Sequence, residues 1–189
     1  MNAIYLVPFG MIEDDVMSTL EICAWQIFGF EVQRIPNLPD PDYAFDHHSN
    51  QYSSTLLLKN LIHQAPNDAV KLLGVTNEDL FIPMLSFVFG HAQLNGSAAV
   101  ISLARLHQEF YSLPENKQLF LHRAMKEAVH ELGHTFGLVH CSNPKCAMSL
   151  SNTIQHVDRK TEELCSNCSI VLEESINHIR RENGMEIQQ

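Results

Sequence analysis

The sequence of 189 residues predicts a single domain of the α/β class, including its α+β variant. Three observations support this prediction. The length and the 45% hydrophobic content are sufficient for one sizeable core. Runs with strand character alternate along the chain with helical patterns. No internal repeat, low-complexity tract or linker divides the chain, so we expect one unit spanning residues 1–189.

The N-terminal part of the chain alternates strand and helix. Residues 3–7 form a β-prone run that ends at Pro8 and Gly10, and they predict the first strand. A helix that ends at Gly29 is predicted next, because apolar residues recur three and four positions apart. This apolar stripe consists of Val16, Leu20, Cys23 and Ile27, and we expect its cysteine to be a small buried hydrophobe. Residues 30–35 alternate and predict a second strand.

The middle of the chain begins with a segment that favours no regular structure. Residues 36–50 contain three prolines and many polar residues, which predicts a long loop. A helix is predicted over about residues 53–64, and a third strand over residues 71–76. Residues 82–101 contain two further β-prone patches, which we expect to be separated by a turn-rich segment over residues 91–97.

Two helices are predicted in the C-terminal part. The first covers about residues 115–135, with Pro114 at its start and Gly137 at its end. The second covers about residues 165–183 and stops at Gly184.

Composition and charge exclude several classes of partner. The formal net charge is −10, from 22 acidic and 12 basic residues, and the sequence contains no concentrated basic patch that would neutralise nucleic-acid phosphates. The longest apolar stretch, residues 81–89, is interrupted and too short to span a bilayer. The first residues lack the features of a secretory signal. We therefore expect a cytoplasmic monomer that binds neither nucleic acid nor membrane.

The stretch that begins at residue 130 reads H-E-L-G-H-T-F-G-L-V-H. His130 and His134 are four residues apart, so on a helix their imidazoles lie on the same face. Zinc binds imidazole nitrogen, and a catalytic zinc keeps three protein ligands and one open position. His140 is the third candidate ligand if the chain turns after the helix, which Gly137 permits because glycine adopts a positive φ. From the composition, a chance match to this extended pattern has odds of about one in ten thousand.

Glu131 follows the first of these histidines and is predicted to be a general base. Its side chain lies beside the ligands, within reach of a zinc-bound water but not of the ion itself. Zinc lowers the pKa of such a water towards about 7, and Glu131 would accept its proton and pass it to the leaving amine.

The cysteines predict a second metal site. Four of the five lie close together in the sequence, as Cys141-x4-Cys146 and Cys165-x2-Cys168. Four thiolates at these spacings can close a tetrahedral coordination sphere, which is typical of structural zinc. Two disulfides are the alternative, which the expected cytoplasmic setting disfavours. Since Cys141 directly follows His140, a zinc ion here should also fix the third catalytic ligand. The sequence thus predicts two zinc ions per chain, one catalytic and one structural.

The histidine motif resembles that of the metzincin clan, and the run H-C-x4-C-x-M after residue 139 is similar to that of the archaemetzincins. The resemblance implies a metzincin-like fold with an N-terminal subdomain, residues 1–137, built of a twisted mixed sheet and helices that include the active-site helix. A small C-terminal subdomain, residues 138–189, would contain the four-cysteine zinc site and a terminal helix. It also implies that Met148 belongs to a Met-turn and forms an apolar floor under the zinc ligands.

Two upstream segments, residues 52–55 and 87–96, share the resemblance. The second is similar to the edge strand above the metzincin cleft, which makes His91 a possible contact on the substrate rim. Some metzincins use a tyrosine shortly after the Met-turn, and this sequence has none after Met148. Oxyanion stabilisation would then come from zinc, from backbone N–H groups or from another residue.

The sequence therefore predicts a zinc metallopeptidase that hydrolyses peptide bonds of a peptide or protein substrate. One alternative is a binding module that holds a peptide without cleaving it, although Glu131 argues against this because such a module needs no general base. Another is a zinc hydrolase of a non-peptide amide, since the attacking chemistry is the same. An endopeptidase and an exopeptidase would share the motif, so both stay open.

Overall fold

A computed structural model describes residues 2–184, which form nine strands and five α-helices. The strands are β1 (Ala3–Phe9), β2 (Glu31–Arg34), β3 (Phe45–Asp46), β4 (Gln51–Ser53), β5 (Ala69–Thr76), β6 (Leu80–Ile82), β7 (Leu85–Val88), β8 (Gly90–Ala92) and β9 (Ala98–Ser102). The helices are α1 (Asp14–Phe28), α2 (Ser54–His63), α3 (Lys117–Thr135), α4 (Ile154–Arg159) and α5 (Ser166–Glu182). None of the helices in this range is both long and apolar enough to cross a membrane.

The main sheet has five strands in the order β2-β1-β5-β9-β8. Its first four strands are parallel, and β8 pairs antiparallel with β9 at the edge. Helices α1 and α3 pack on one face of this sheet and α2 on the other, and each face has its own apolar core. The central strands are buried on both sides, so their sequences are apolar runs. The mixed sheet with packed helices confirms the predicted fold class.

A second sheet, in the order β3-β4-β6-β7, was not predicted. Its strands have only two to four residues, which is too short for a detectable alternation of apolar and polar positions. The prediction of an unbroken loop over residues 36–50 is therefore wrong. This segment contains a short 3-10 helix, Asp42–Ala44, and then β3, which pairs with β4.

The turn predicted over residues 91–97 is also wrong at its start. His91 and Ala92 belong to β8, and the turn itself covers only the residues between β8 and β9. Pairing with β9 holds these residues in a strand, and this contact is not visible in the local composition. Helix α4 was not predicted either, because six residues are too few to show a helical period.

Helix α3 lies within the predicted range. Asn116 caps its N-terminus by accepting a hydrogen bond from the backbone N–H of Leu119. At its other end Gly137 has φ +89°, and the Leu138 N–H donates to the Gly133 carbonyl. A side chain at position 137 would be strained in this conformation, so glycine allows the chain to turn away from the helix axis.

Candidate active site

The turn at Gly137 brings three histidines together. His130 and His134 project from α3, and His140 approaches from the segment after the turn. One ring nitrogen of each lies within 4.8 Å of the others. The three imidazoles that the sequence pattern singled out are therefore neighbours in space.

The orientation of the imidazoles suits a metal ion. The Nδ1 atom of His130 lies 2.8 Å from the Ala147 carbonyl, and that of His134 lies 2.7 Å from the Leu138 carbonyl. A carbonyl oxygen only accepts, so each Nδ1 carries the proton and each Nε2 keeps a free lone pair. Burial lowers the pKa of both imidazoles, which favours the neutral form that metals bind.

The distance between the ligand atoms also fits zinc. The two Nε2 atoms lie 3.2 Å apart. Two unprotonated nitrogens cannot hydrogen-bond to each other, so this contact lacks a partner unless a cation lies between them. Tetrahedral zinc at its usual bond length to nitrogen would separate two ligands by about 3.3 Å. The donor set and the spacing therefore fit a zinc ion.

Glu131 lies next to this group but is not one of its members. Its side chain is only 6% exposed and packs against the backbone of β8. Burial is the main reason why its pKa is raised well above the ordinary value, and Glu127 adds to the increase while Lys160 opposes it. A carboxylate with a raised pKa is a stronger base.

Gly90, on β8, makes the approach of Glu131 possible and was not singled out from the sequence. A Cβ atom at this position would lie 2.4 Å from Glu131 Cγ and 2.6 Å from its Oε1. Any larger residue would therefore displace the carboxylate. The sequence does contain a signal for this contact, because a glycine inside a β-prone run often marks a close approach of another group to the backbone.

Met148 is fully buried and packs against α3 at Gly133. Gly133 stands between His130 and His134 in the sequence, and a Cβ added to it would lie 2.5 Å from Met148 Sδ. The methionine therefore packs directly against the backbone of α3. Gly133 was also missed by the sequence reasoning, although a glycine in a helix interior normally has a packing reason.

The four cysteines Cys141, Cys146, Cys165 and Cys168 form a second group whose sulfurs all lie within 4.8 Å of one another. The Cys141 and Cys165 sulfurs are 3.7 Å apart, which excludes a disulfide between them and agrees with the roughly 3.8 Å expected across a tetrahedral zinc–thiolate site. A hydrogen bond from the Cys168 backbone lowers the pKa of Cys165 to about 7, which favours a thiolate at that position, whereas burial raises the pKa of Cys146 and of Cys168.

A cleft with a cavity volume of about 560 Å³ lies between β8 and α3. Its lining includes the three histidines, Glu131 and His91. His91 alternates with Gly90 along β8, so its side chain points towards α2 on the other face of the sheet, where Nδ1 lies 2.9 Å from Ser54 Oγ. His91 thus lies on the rim of the cleft and outside the group of three histidines.

Comparisons with known proteins match this chain to one family. The model of Peptidase family M54 matches residues 40–174, a range that contains all seven candidate metal ligands. The archaemetzincin of Methanocaldococcus jannaschii is 43% identical over 165 residues, covering 87% of this chain and 89% of the relative. The archaemetzincin of Pyrococcus furiosus is 42% identical over 181 residues, covering 93% of this chain and 94% of the relative.

A solved structure shows the same likeness in three dimensions. The crystal structure of archaemetzincin from Methanopyrus kandleri superposes with a TM-score of 0.83 at 34% identity, covering 93% of this chain and 96% of that one. The chain therefore belongs to peptidase family M54, the archaemetzincin family of zinc metallopeptidases.

Proposed function

We propose that this chain hydrolyses peptide bonds with a catalytic zinc held by His130, His134 and His140 and with Glu131 as the general base. The observation that supports this most directly is the inward convergence of the two helical Nε2 atoms, 3.2 Å apart. Backbone carbonyls fix the opposite nitrogens, so the rings are held in a metal-binding orientation before any ion arrives.

The proton transfers fall to Glu131. When bound, zinc supplies Lewis acidity to a water molecule and to the substrate carbonyl. Glu131 lines the cleft beside the ligands, so its carboxylate can accept a proton from the attacking water and then give it to the leaving nitrogen. Its burial excludes bulk water, which keeps the proton available for the second transfer.

The free edge of β8 gives the substrate a backbone to pair with. The Ser102 N–H donates to the Phe89 carbonyl, and the Gln93 N–H donates to the Ala98 carbonyl. Hydrogen bonding alternates along an antiparallel strand. The backbone N–H and C=O of His91 therefore face β9, and those of Gly90 and Ala92 face outwards. An extended peptide added at this edge would lie over the zinc ligands, as in other cases of strand addition.

We also propose a second, structural zinc held by the four cysteines, which makes two zinc ions per chain. The Cys141 N–H donates to the Met148 carbonyl, so this site and the segment under the histidines share a hydrogen bond. An ion that fixes Cys141 would also fix its neighbour His140, the ligand that α3 does not hold.

The test compares the wild-type protein with E131Q on a diverse peptide library while bound zinc is measured. We expect E131Q to retain zinc and to lose at least about a hundredfold in kcat, because amide replaces the only proposed base. The control is E174Q, which makes the same change on the exposed surface of α5 and should cleave like the wild type. Equal inactivity of wild type and E131Q across the library would contradict the proposal and favour a peptide-binding module.

A further inference from the structure

The cleft contains an acidic residue that the proposed mechanism does not use. Glu127 lies one helical turn before Glu131 on α3 and lines the same cavity, although it is only 2% exposed. Lys160, which follows α4, places its ammonium 2.9 Å from Glu127 Oε1, and its side chain is completely buried. The cavity therefore extends from the zinc ligands along α3 to a buried ion pair.

The polar groups of this region have few partners. Within residues 2–184, Glu127 Oε1 and Lys160 Nζ have each other in the ion pair and no further hydrogen bond, and no hydrogen bond reaches Ser151 Oγ, although all three atoms are buried. Ser151 lines the cavity together with Glu127. A buried polar atom without a partner is unfavourable, and a carboxylate can accept more hydrogen bonds than the one that Lys160 gives, so a molecule that brings a donor into the cavity would satisfy Ser151 Oγ or Glu127.

The remaining surface of the cavity is largely apolar. Phe87 and Phe89 contact each other with their ring centroids 5.2 Å apart, and both line the cavity with Leu85, Val88 and Leu150. A side chain that enters must therefore have an apolar stem or ring to replace water along these walls. Its polar end would meet Glu127 and Ser151.

The charges of the cavity restrict which polar end is suitable. An acidic side chain would be repelled by both Glu127 and Glu131. A basic side chain would bring a second cation close to Lys160, which already neutralises Glu127. A neutral group that donates a hydrogen bond satisfies the carboxylate without either penalty.

We propose that this cavity is a substrate side-chain pocket that selects a neutral residue with a hydrogen-bond donor at its end, glutamine or tyrosine. The proposal rests on the proposed function, because it names a substrate class for the same cleft. Glu127 and Ser151 are the specificity-determining residues, and Lys160 positions Glu127.

The experiment uses near-isosteric pairs of peptides that differ in one residue beside the scissile bond. Tyrosine is compared with phenylalanine and glutamine with methionine, first on one side of the bond and then on the other. On one side, the wild type should prefer the donor-bearing member of each pair by roughly 10- to 100-fold in kcat/KM, the range of one hydrogen bond to a charged group. Peptides with glutamate or lysine at that position should be poorer substrates than those with glutamine.

The informative variant is E127M/K160M, which replaces the whole ion pair. Apolar residues of similar volume commonly substitute for a buried pair without loss of folding, whereas removal of one partner leaves a buried charge. The preference for tyrosine and glutamine should disappear, while zinc content is unchanged. If the double variant does not fold, S151A takes its place and should reduce the same ratios severalfold.

The matched control is R123M/D158L. Arg123 binds Asp158 through two hydrogen bonds of 2.7 and 2.8 Å and joins the same two parts of the chain, but neither residue lines the cavity. This variant should keep the wild-type preference. A wild type that cleaves the phenylalanine and methionine peptides equally well, or a preference that survives in E127M/K160M and in S151A, would overturn the proposal, as would a preference for lysine.

Binding measurements separate this proposal from the proposed function. Calorimetry with zinc-loaded E131Q gives the Kd of each peptide without cleavage, and the same order of preference is expected. Discrimination in binding without any cleavage by the wild type would support the pocket and contradict the peptidase mechanism. Cleavage without discrimination would contradict the pocket alone.

Discussion

Substitution of Gly90 by alanine tests the position of the proposed general base, Glu131, without changing a candidate metal ligand. The added Cβ would lie 2.4 Å from Glu131 Cγ and 2.7 Å from its Cδ. Non-bonded carbons normally stay at least about 3.5 Å apart, so the Glu131 side chain must move by about 1 Å. The φ of Gly90 is not in the left-handed region, so alanine itself fits the backbone.

The size of the effect follows from this displacement. A shift of about 1 Å in a catalytic group can reduce the rate about a hundredfold. Overpacking in a well-filled region typically lowers the free energy of unfolding by about 1–3 kcal/mol. The three atoms nearest to the added Cβ all belong to Glu131 and none to a histidine, so we expect G90A to keep its zinc while kcat falls about a hundredfold.

The assay combines kcat on a cleavable peptide with the zinc content and the melting temperature. G74A is the control, because its Cβ would also be crowded, 2.9 Å from Phe9 Cε2, but within β5 and outside the cleft lining. It should lose stability and keep the wild-type kcat in its folded fraction. A folded, zinc-loaded G90A with wild-type kcat would refute the idea that Gly90 positions Glu131.

Three further changes have expected outcomes. G133A places a Cβ 2.5 Å from Met148 Sδ and should lower the free energy of unfolding by about 1–3 kcal/mol in urea denaturation; unchanged stability would contradict the contact. C168S should reduce zinc, measured by atomic absorption, below two ions per chain and weaken the catalytic site as well; two retained ions would contradict the coupling. Burial lowers the pKa of Lys71 to about 8 from the usual 10.5. Between pH 8 and pH 10.5, Lys71 therefore keeps its proton in the unfolded chain and loses it in the folded one. The free energy of unfolding should therefore rise with pH there, by at most about 1.4 kcal/mol per unit, and K71M should lose this slope.

The sequence predicted the long elements well, because a long helix repeats its apolar pattern over several turns and a long strand extends over several residues. Helix α3 was expected over residues 115–135 and forms over Lys117–Thr135. Helix α4 and the strands of the second sheet are too short to carry such a signal, and they form because longer elements hold them in place. Arg123, for example, ties α3 to Asp158 in α4 across 35 residues of sequence.

The candidate metal ligands were available from the sequence for a local reason. A spacing of four residues on a helix and a glycine that turns the chain fix the histidines relative to one another within eleven residues. The cysteine spacings work in the same way, since each pair lies in one short loop or helix start. Over so few residues, covalent geometry leaves few alternative positions for one ligand relative to the next.

The sequence by itself thus determined the fold class, the family and the residues that converge on each candidate zinc ion. Only the tertiary structure decided what surrounds them. Gly90 contacts Glu131 from a distant strand, Lys160 pairs with Glu127 from beyond Met148, and His91 turns away towards Ser54. These contacts join residues far apart in the chain, where neither spacing nor periodicity constrains the encounter, so packing alone selects them.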